Sequence, residues 1–236
     1  MINNKIVAAA RKAGQTGLLA AAAAAALVGF AGAAHAAPQS PAPNATQGST
    51  LYGNPTEAAQ WWRHQHLEDC GPMSAADVVG QMTGSEPSET AIWAASATMR
   101  STVHSGPISI GMGISPEDLP KLLAHYNVKA TLTDSKTQSQ TGLATGLTAL
   151  EQYLAQGHAV IAGVNAETIW NMSGDTTDPD HAVVVTGIDT QAGVVHLNDS
   201  GIDTGRDEQV PLATFEKAWA TSNNMLVVTA DTVKVK

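Results

Sequence analysis

Hydrophobic residues follow two different periods on either side of Gly157. Before this glycine, apolar positions recur every three or four residues, which is the spacing of one face of a helix. This spacing predicts helices over 73–82, 91–99, 115–126 and 148–156, and a short strand is predicted over 128–132. After Gly157, short β-branched runs predict strands over 159–164, 181–188, 193–198 and 225–229, with a short helix over 215–219. Helices followed by a mostly antiparallel sheet indicate an α+β fold.

The N-terminal residues 1–36 have the pattern of a secretory signal peptide. Three basic residues precede an apolar stretch over 18–30, and Ala34-His35-Ala36 fits the small-residue rule for cleavage. We expect cleavage after Ala36 and an exported bacterial protein, either secreted or held in the cell envelope. The apolar stretch is too short for a spanning helix, and no other segment is long and apolar enough to cross a bilayer, so we expect no transmembrane helix in the mature chain.

The composition of the following residues changes twice. Residues 37–56 are rich in Pro, Ala, Ser, Asn and Gly, which is typical of a flexible linker. The regular hydrophobic pattern then continues to the end of the chain, so we predict one folded domain over 57–236. About 180 residues are enough for a single domain with a substantial core.

The charge balance limits the classes of partner. The chain has 12 Lys and Arg residues against 21 Asp and Glu residues. Three of the basic residues lie in the predicted signal peptide, so nine remain and the net charge of the mature chain becomes −12. A chain of this sign lacks the basic clusters that bind nucleic acid or anionic lipid, and both are excluded as partners.

The sequence predicts no metal and no organic cofactor. Neither CxxC nor HExxH occurs. His64, His66 and Cys70 lie close together in sequence, but they supply only three of the four ligands that a structural zinc site requires.

The chain contains a single cysteine, Cys70, which therefore has no internal disulfide partner. Gly71-Pro72 follows it and opens the predicted helix over 73–82, so backbone N–H groups at the helix start would face the sulfur and lower its pKa. The preceding acidic residues Glu68 and Asp69 oppose this effect. A reactive thiolate here therefore needs a nearby imidazole; the alternative is a small buried cysteine without chemistry.

His181 is the best candidate for that imidazole. It opens a valine-rich strand after a turn-like segment, so one ring nitrogen is expected to face a cleft. Asp199 ends the next strand, and a hairpin would bring its carboxylate beside His181. The predicted order is a nucleophile, a base and a residue that orients the base; the alternative is that His181 and Asp199 are ordinary turn residues.

These residues resemble the papain-like bacteriocin-processing cysteine peptidases, cysteine peptidase family thirty-nine, and most closely its stand-alone, exported branch. The resemblance covers roughly residues 60–228. It implies a papain-like fold in which Cys70 is the nucleophile, His181 the base and Asp199 the orienting residue. In that family a glutamine upstream of the cysteine donates to the oxyanion. Its usual position, six residues before the cysteine, is held here by His64, and we assign the role to Gln65 because an amide donates in every protonation state.

The predicted function is thiol-dependent hydrolysis of a peptide or amide bond in a peptide or protein substrate. Four alternatives stay open: a cell-wall endopeptidase of the NlpC type, a transferase with the same acyl-enzyme, an inactive papain-like binding module, and a structural protein of the envelope. The cell-wall enzymes typically carry Asp-Cys-Ser-Gly, whereas this chain has Asp69-Cys70-Gly71-Pro72. The cleavage after a double glycine known for the transporter-fused members does not transfer to an exported chain without a transporter domain.

Overall fold

The structure, a computed structural model, describes residues 51–110 and 113–233. The predicted signal peptide and the predicted linker up to residue 50 lie outside the described residues. The helices are α1 (Pro55–Ala58), α2 (Cys70–Thr83), α3 (Glu89–Thr98), α4 (Leu119–His125), α5 (Gln138–Thr141), α6 (Leu147–Ala155), α7 (Ala166–Ile169) and α8 (Leu212–Ala220). The strands are β1 (Leu51–Gly53), β2 (Ser109–Ile110), β3 (Gly113–Ile114), β4 (Ala130–Thr133), β5 (Val160–Val164), β6 (His181–Asp189), β7 (Val194–Asn198), β8 (Glu208–Pro211) and β9 (Leu226–Thr229).

One antiparallel sheet organises the described part of the chain. Its strands follow the order β4-β9-β5-β6-β7-β8, and β1 pairs with the far end of β6. The long strand β6 is central: His181 lies opposite Val164 of β5, and Val184 lies opposite Asn198 of β7. The strands β2 and β3 form a separate small hairpin. The α+β prediction is confirmed.

Both faces of this sheet are buried. On one face, Val183 and Val185 of β6 pack in a cluster with residues of α6 and α8. On the other face, Ala182 and Val184 pack against α2, α3 and α4. Because successive side chains of a strand point to opposite faces, a strand covered on both sides needs an apolar residue at every position. This explains why β5, β6 and β9 appear in the sequence as continuous apolar runs.

Most predicted elements lie within a few residues of the observed ones. The predicted helix over 115–126 is a 3₁₀ turn at Pro116–Asp118 followed by α4. The short elements α1, α5, α7 and β8 were not predicted, because four residues are too few to show a period. Across 51–110 and 113–233, every helix is too short or too polar to cross a bilayer.

The predicted boundary between linker and domain at residue 57 was wrong, because the residues just before it belong to the fold. Strand β1 pairs with β6, with Tyr52 opposite Ile188 and Gly53 opposite Gly187. Gly53 has a φ of +86°, and a Cβ there would lie 2.4 Å from the carbonyl oxygen of Thr186. Only glycine fits this close approach. The polar, glycine-rich composition of these residues is typical of a linker, and for this reason the sequence did not indicate the edge strand β1.

Candidate active site

Cys70 is the first residue of α2, and its side chain is half-buried. Residues 71–80 of this helix are all buried, since α2 lies against the sheet. One turn after the cysteine, the Ser74 hydroxyl donates to the backbone oxygen of Ala182 at 3.0 Å. This bond joins the start of α2 to the residue next to His181. The N–H groups of the first turn of a helix have no partner within the helix, so they are available near the sulfur.

His181 brings the thiol and Asp199 together. Its side chain is only 5% exposed, and its Nε2 lies 2.7 Å from Oδ1 of Asp199. The Cys70 side chain lies beside the same imidazole and helps to raise its pKa. Because Nε2 is bonded to Asp199, Nδ1 is the nitrogen left for the thiol. The structure thus places three residues that are far apart in sequence next to one another.

Asp199 follows β7 directly and is fully buried. Besides His181, its carboxylate accepts hydrogen bonds from the backbone N–H of Gly201 at 2.7 Å and from the indole N–H of Trp170 at 2.8 Å. Three donors therefore fix the carboxylate, so it holds the His181 ring in one orientation. A buried carboxylate with this many donors remains ionised.

The titration of the two groups follows from these contacts. Burial alone would lower the pKa of His181, but the negative charges of Asp199 and of the Cys70 thiolate raise it well above its ordinary value. Burial alone would raise the pKa of Asp199, but the His181 charge and the three hydrogen bonds hold it below its ordinary value. An imidazolium between two negative groups is the arrangement that stabilises a thiolate.

Gln65 lies beside this cluster and its side chain is fixed at both ends. Its Oε1 accepts from the Ser200 hydroxyl at 2.7 Å, and its Nε2 donates to the backbone oxygen of Leu67 at 2.9 Å. One of the two amide hydrogens therefore remains for another acceptor. His64 faces elsewhere, with Nε2 3.6 Å from Oδ1 of the exposed Asp203. The geometry places Gln65, and not His64, against the segment that carries Asp199.

Two tryptophans support Asp199, and the sequence analysis did not identify them as part of the site. The ring of Trp170 lies 5.0 Å from the His181 ring between centroids, so the same residue covers the imidazole and donates to Asp199. The indole N–H of Trp62 donates to the backbone oxygen of Asp199 at 2.6 Å. Sequence spacing contains no signal for Trp170, because it follows the unpredicted short helix α7.

The two histidines considered above as zinc ligands, His64 and His66, each lie beside a different carboxylate. His66 Nδ1 lies 2.8 Å from a carboxylate oxygen of Glu89, while His64 faces Asp203. Within the described ranges, no three His, Cys, Asp or Glu side chains are arranged to hold a metal ion.

Four carboxyl groups in or near the interior titrate far above their ordinary range. Burial raises the pKa of Asp69, Asp77, Glu86 and Glu208 to about 7 in each case. For Asp69 the negative charge of Glu89 adds to the effect of burial, and for Glu208 that of Asp199 does. Between about pH 4 and pH 7, these carboxyl groups are protonated in the folded protein but ionised in the unfolded chain.

We therefore expect the protein to be most stable at mildly acidic pH. Between about pH 4 and pH 7 the folded state binds more protons than the unfolded chain, so the free energy of unfolding falls as the pH rises. The raised pKa of His181 continues this loss above about pH 6.5. The Tm measured at pH 5 should exceed that at pH 8 by about 5–10 °C. Asp77→Asn should reduce this difference, and a Tm that rises from pH 5 to pH 8 would contradict the burial of these groups.

Comparison with known proteins identifies the family of the chain. Residues 55–227 match the sequence model of the Peptidase_C39 like family. Uncharacterized proteins of Mycobacterium tuberculosis and Mycobacterium bovis are 52% identical over 204 residues, which cover 80% of this chain and 88% of theirs. A crystal structure described as that of a C39-like peptidase from Bacillus anthracis superposes with a TM-score of 0.52 at 19% identity, covering 78% of this chain and 99% of that one, and shows the shared fold. From the family match and the close relatives together, the chain belongs to the Peptidase_C39 like family.

Proposed function

We propose that the protein is a cysteine peptidase that hydrolyses peptide or amide bonds in a peptide or protein substrate. The observation that carries this proposal is the position of His181, whose Nε2 lies 2.7 Å from Oδ1 of Asp199 and whose ring interacts with the Cys70 side chain. Family membership supports the same reaction class. The half-buried position of Cys70 at a helix start leaves its sulfur available to a substrate.

In the proposed reaction the Cys70 thiolate attacks the carbonyl carbon of the scissile bond. The imidazolium of His181 then gives its proton to the leaving amine, and the C–N bond breaks to leave a thioester on Cys70. Water then attacks the thioester carbon while neutral His181 takes a proton from the water. The C–S bond breaks, which releases the carboxylic acid and restores the Cys70 thiolate beside the imidazolium of His181. Asp199 keeps the imidazole in the tautomer that presents Nδ1 to the sulfur.

The negative oxygen that forms during attack needs donors. The backbone N–H of Cys70 belongs to the first turn of α2, where such groups have no helical partner. The remaining amide hydrogen of Gln65 is the second donor that we propose. Its support is the anchoring of Gln65 by Ser200, next to Asp199.

We further propose that the protein acts outside the cytoplasm. The basic, apolar and small-residue segments within residues 1–36 support export and cleavage after Ala36. N-terminal sequencing of protein recovered from the culture medium and from the cell envelope tests this proposal. A mature chain starting at Ala37 is expected, and full-length protein confined to the cytoplasm would overturn export.

Labelling of Cys70 with iodoacetamide tests the proposed function without knowledge of the substrate. At pH 6, where a free thiol is almost entirely protonated, we expect Cys70 to react at least about tenfold faster than glutathione. His181→Ala should bring the rate close to that of glutathione, because the thiolate loses its counter-charge. The readout is the alkylated fraction over time, measured by mass spectrometry of the intact protein.

His125→Ala is the matched control. His125 is an exposed histidine at the end of α4, and its loss should leave the labelling rate unchanged. Equal labelling rates for the parent protein and His181→Ala would show that His181 does not activate Cys70. A Cys70 that reacts no faster than glutathione at any pH would instead favour the non-catalytic binding module.

A further inference from the structure

Asp69, the residue before the cysteine, is a buried acid that the proposed reaction does not use. It is 1% exposed, and neither of its carboxyl oxygens has a hydrogen-bond partner among the described residues. It precedes α2 directly, but its side chain makes no capping bond to that helix in the described structure. An ionised carboxylate in this position would be strongly destabilising, so the group is suited to the neutral form.

Glu89 of α3 explains why the proton stays on Asp69. Glu89 accepts hydrogen bonds from the backbone N–H groups of His66 and Leu67 at 2.6 and 3.0 Å, and from the His66 ring at 2.8 Å. Burial alone would raise the pKa of Glu89, but these bonds hold it below its ordinary value. Of two facing carboxyls, the one with donors carries the charge and the one without donors carries the proton.

We propose that neutral Asp69 is required for full reactivity of Cys70, and that its ionisation contributes to the alkaline limit of the enzyme together with loss of the His181 proton. Asp69 acts through the sulfur and does not touch the substrate. When it loses its proton, a negative charge appears on a buried carboxyl one residue from the cysteine. That charge opposes the thiolate and favours return of the proton from His181 to the sulfur. The inference rests on the proposed function, because it concerns the same thiol.

Two charged groups near Asp69 act on its pKa in opposite directions. Glu89 raises the pKa of Asp69, and His66 on the preceding loop lowers it to a smaller extent. Burial makes the largest contribution, and the net result is a pKa of about 7. The sulfur also lies beside His181, whose charge Asp199 stabilises and with which the carboxyls of Asp180 and Glu208 interact. Both of these carboxyls are retained in Asp69→Asn, so the comparison with the parent protein isolates Asp69. Ionisation of Asp69 thus falls within the ordinary range of assay pH.

The test compares the pH dependence of iodoacetamide labelling in the parent protein and in Asp69→Asn. At pH 5.5 both proteins carry a neutral side chain at residue 69, so their rates should agree within twofold. At pH 8.5 Asp69→Asn should label roughly three- to tenfold faster, because only the parent carries the added charge. Asp77→Asn is the matched control: its carboxyl also has a pKa of about 7, but it lies seven residues along α2, about 10 Å away. Its rate ratio to the parent should be the same at both pH values.

Glu89→Gln provides a second test, in which Asp69 is retained and the labelling rate should change in the opposite direction from Asp69→Asn. Loss of the Glu89 charge should lower the pKa of Asp69, so the fall in labelling should begin at a lower pH than in the parent. A ratio of Asp69→Asn to parent that does not change with pH, together with an unmoved profile in Glu89→Gln, would overturn the inference. Failure of the proposed function looks different, since Cys70 would then react no faster than glutathione in any of these proteins.

Discussion

Cys70→Ala should lower the rate of peptide-bond cleavage by at least about 10³-fold. Without the sulfur no thioester forms, and the remaining groups offer only weak stabilisation of the transition state. The measurement is digestion of a mixed peptide library, with new termini quantified by mass spectrometry. Cleavage at the parental rate would show that the hydrolysis belongs to another site or to a contaminant.

The fold of this variant should be unaffected, which makes the activity loss interpretable. Cys70 is small and half-buried, and α2 is held at this end by the bond from Ser74 to Ala182. We therefore expect the Tm of Cys70→Ala to lie within about 3 °C of the parent value. A large fall in Tm would mean that the cysteine has a structural role that its position does not indicate.

Asp199→Ala should lower cleavage by about 10²-fold, because the His181 ring loses the acceptor that orients it. Asp199→Asn should lose much less, roughly tenfold, since an amide oxygen still accepts from Nε2. Asp199→Asn removes only the negative charge, whereas Asp199→Ala also removes the acceptor that orients the His181 ring. In Asp199→Asn the pKa of His181 should fall, because the negative charge that raises it is gone. The alkaline limit of kcat/KM should therefore move to lower pH.

Asp203→Asn is the matched control for this pair. Its carboxylate lies in the loop after Asp199, and its side chain is 94% exposed, so its loss should change neither the rate nor the pH profile. Equal losses in Asp199→Ala and Asp199→Asn, with no movement of the alkaline limit, would contradict the orienting role. A general loss of loop structure would instead lower the Tm of both variants by the same amount.

The local elements could be predicted because their signals are local. Helix α2 begins at Cys70, and Pro72 in its first turn is a local signal of a helix start. The strands β5 and β6 appear as continuous apolar runs, although only the structure shows that helices cover both of their faces. Strand β1 was missed because three residues of mixed polarity at a sheet edge have no period to detect.

The site was predicted less completely than the fold. The sequence predicted Cys70, His181 and Asp199 as one site; in the structure His181 binds Asp199 and lies beside Cys70, and their catalytic roles stay a prediction. The roles of Trp170 and Trp62 were not, because a hydrogen bond to Asp199 depends on how distant loops meet. From the sequence, we also predicted that Asp69 carries a negative charge that opposes the thiolate. Its burial raises its pKa to about 7, so it is neutral in mildly acidic solution.

The amino-acid sequence alone determined the α+β class and the placement of the cysteine at a helix start. These depend on residue order and composition, which act over a few neighbouring positions. Only the tertiary structure decided which side chains donate to Asp199 and which carboxyl of the Asp69–Glu89 pair holds the proton. Both depend on burial and on contacts between residues far apart in the chain, and neither quantity exists before the sheet and its helices have packed together.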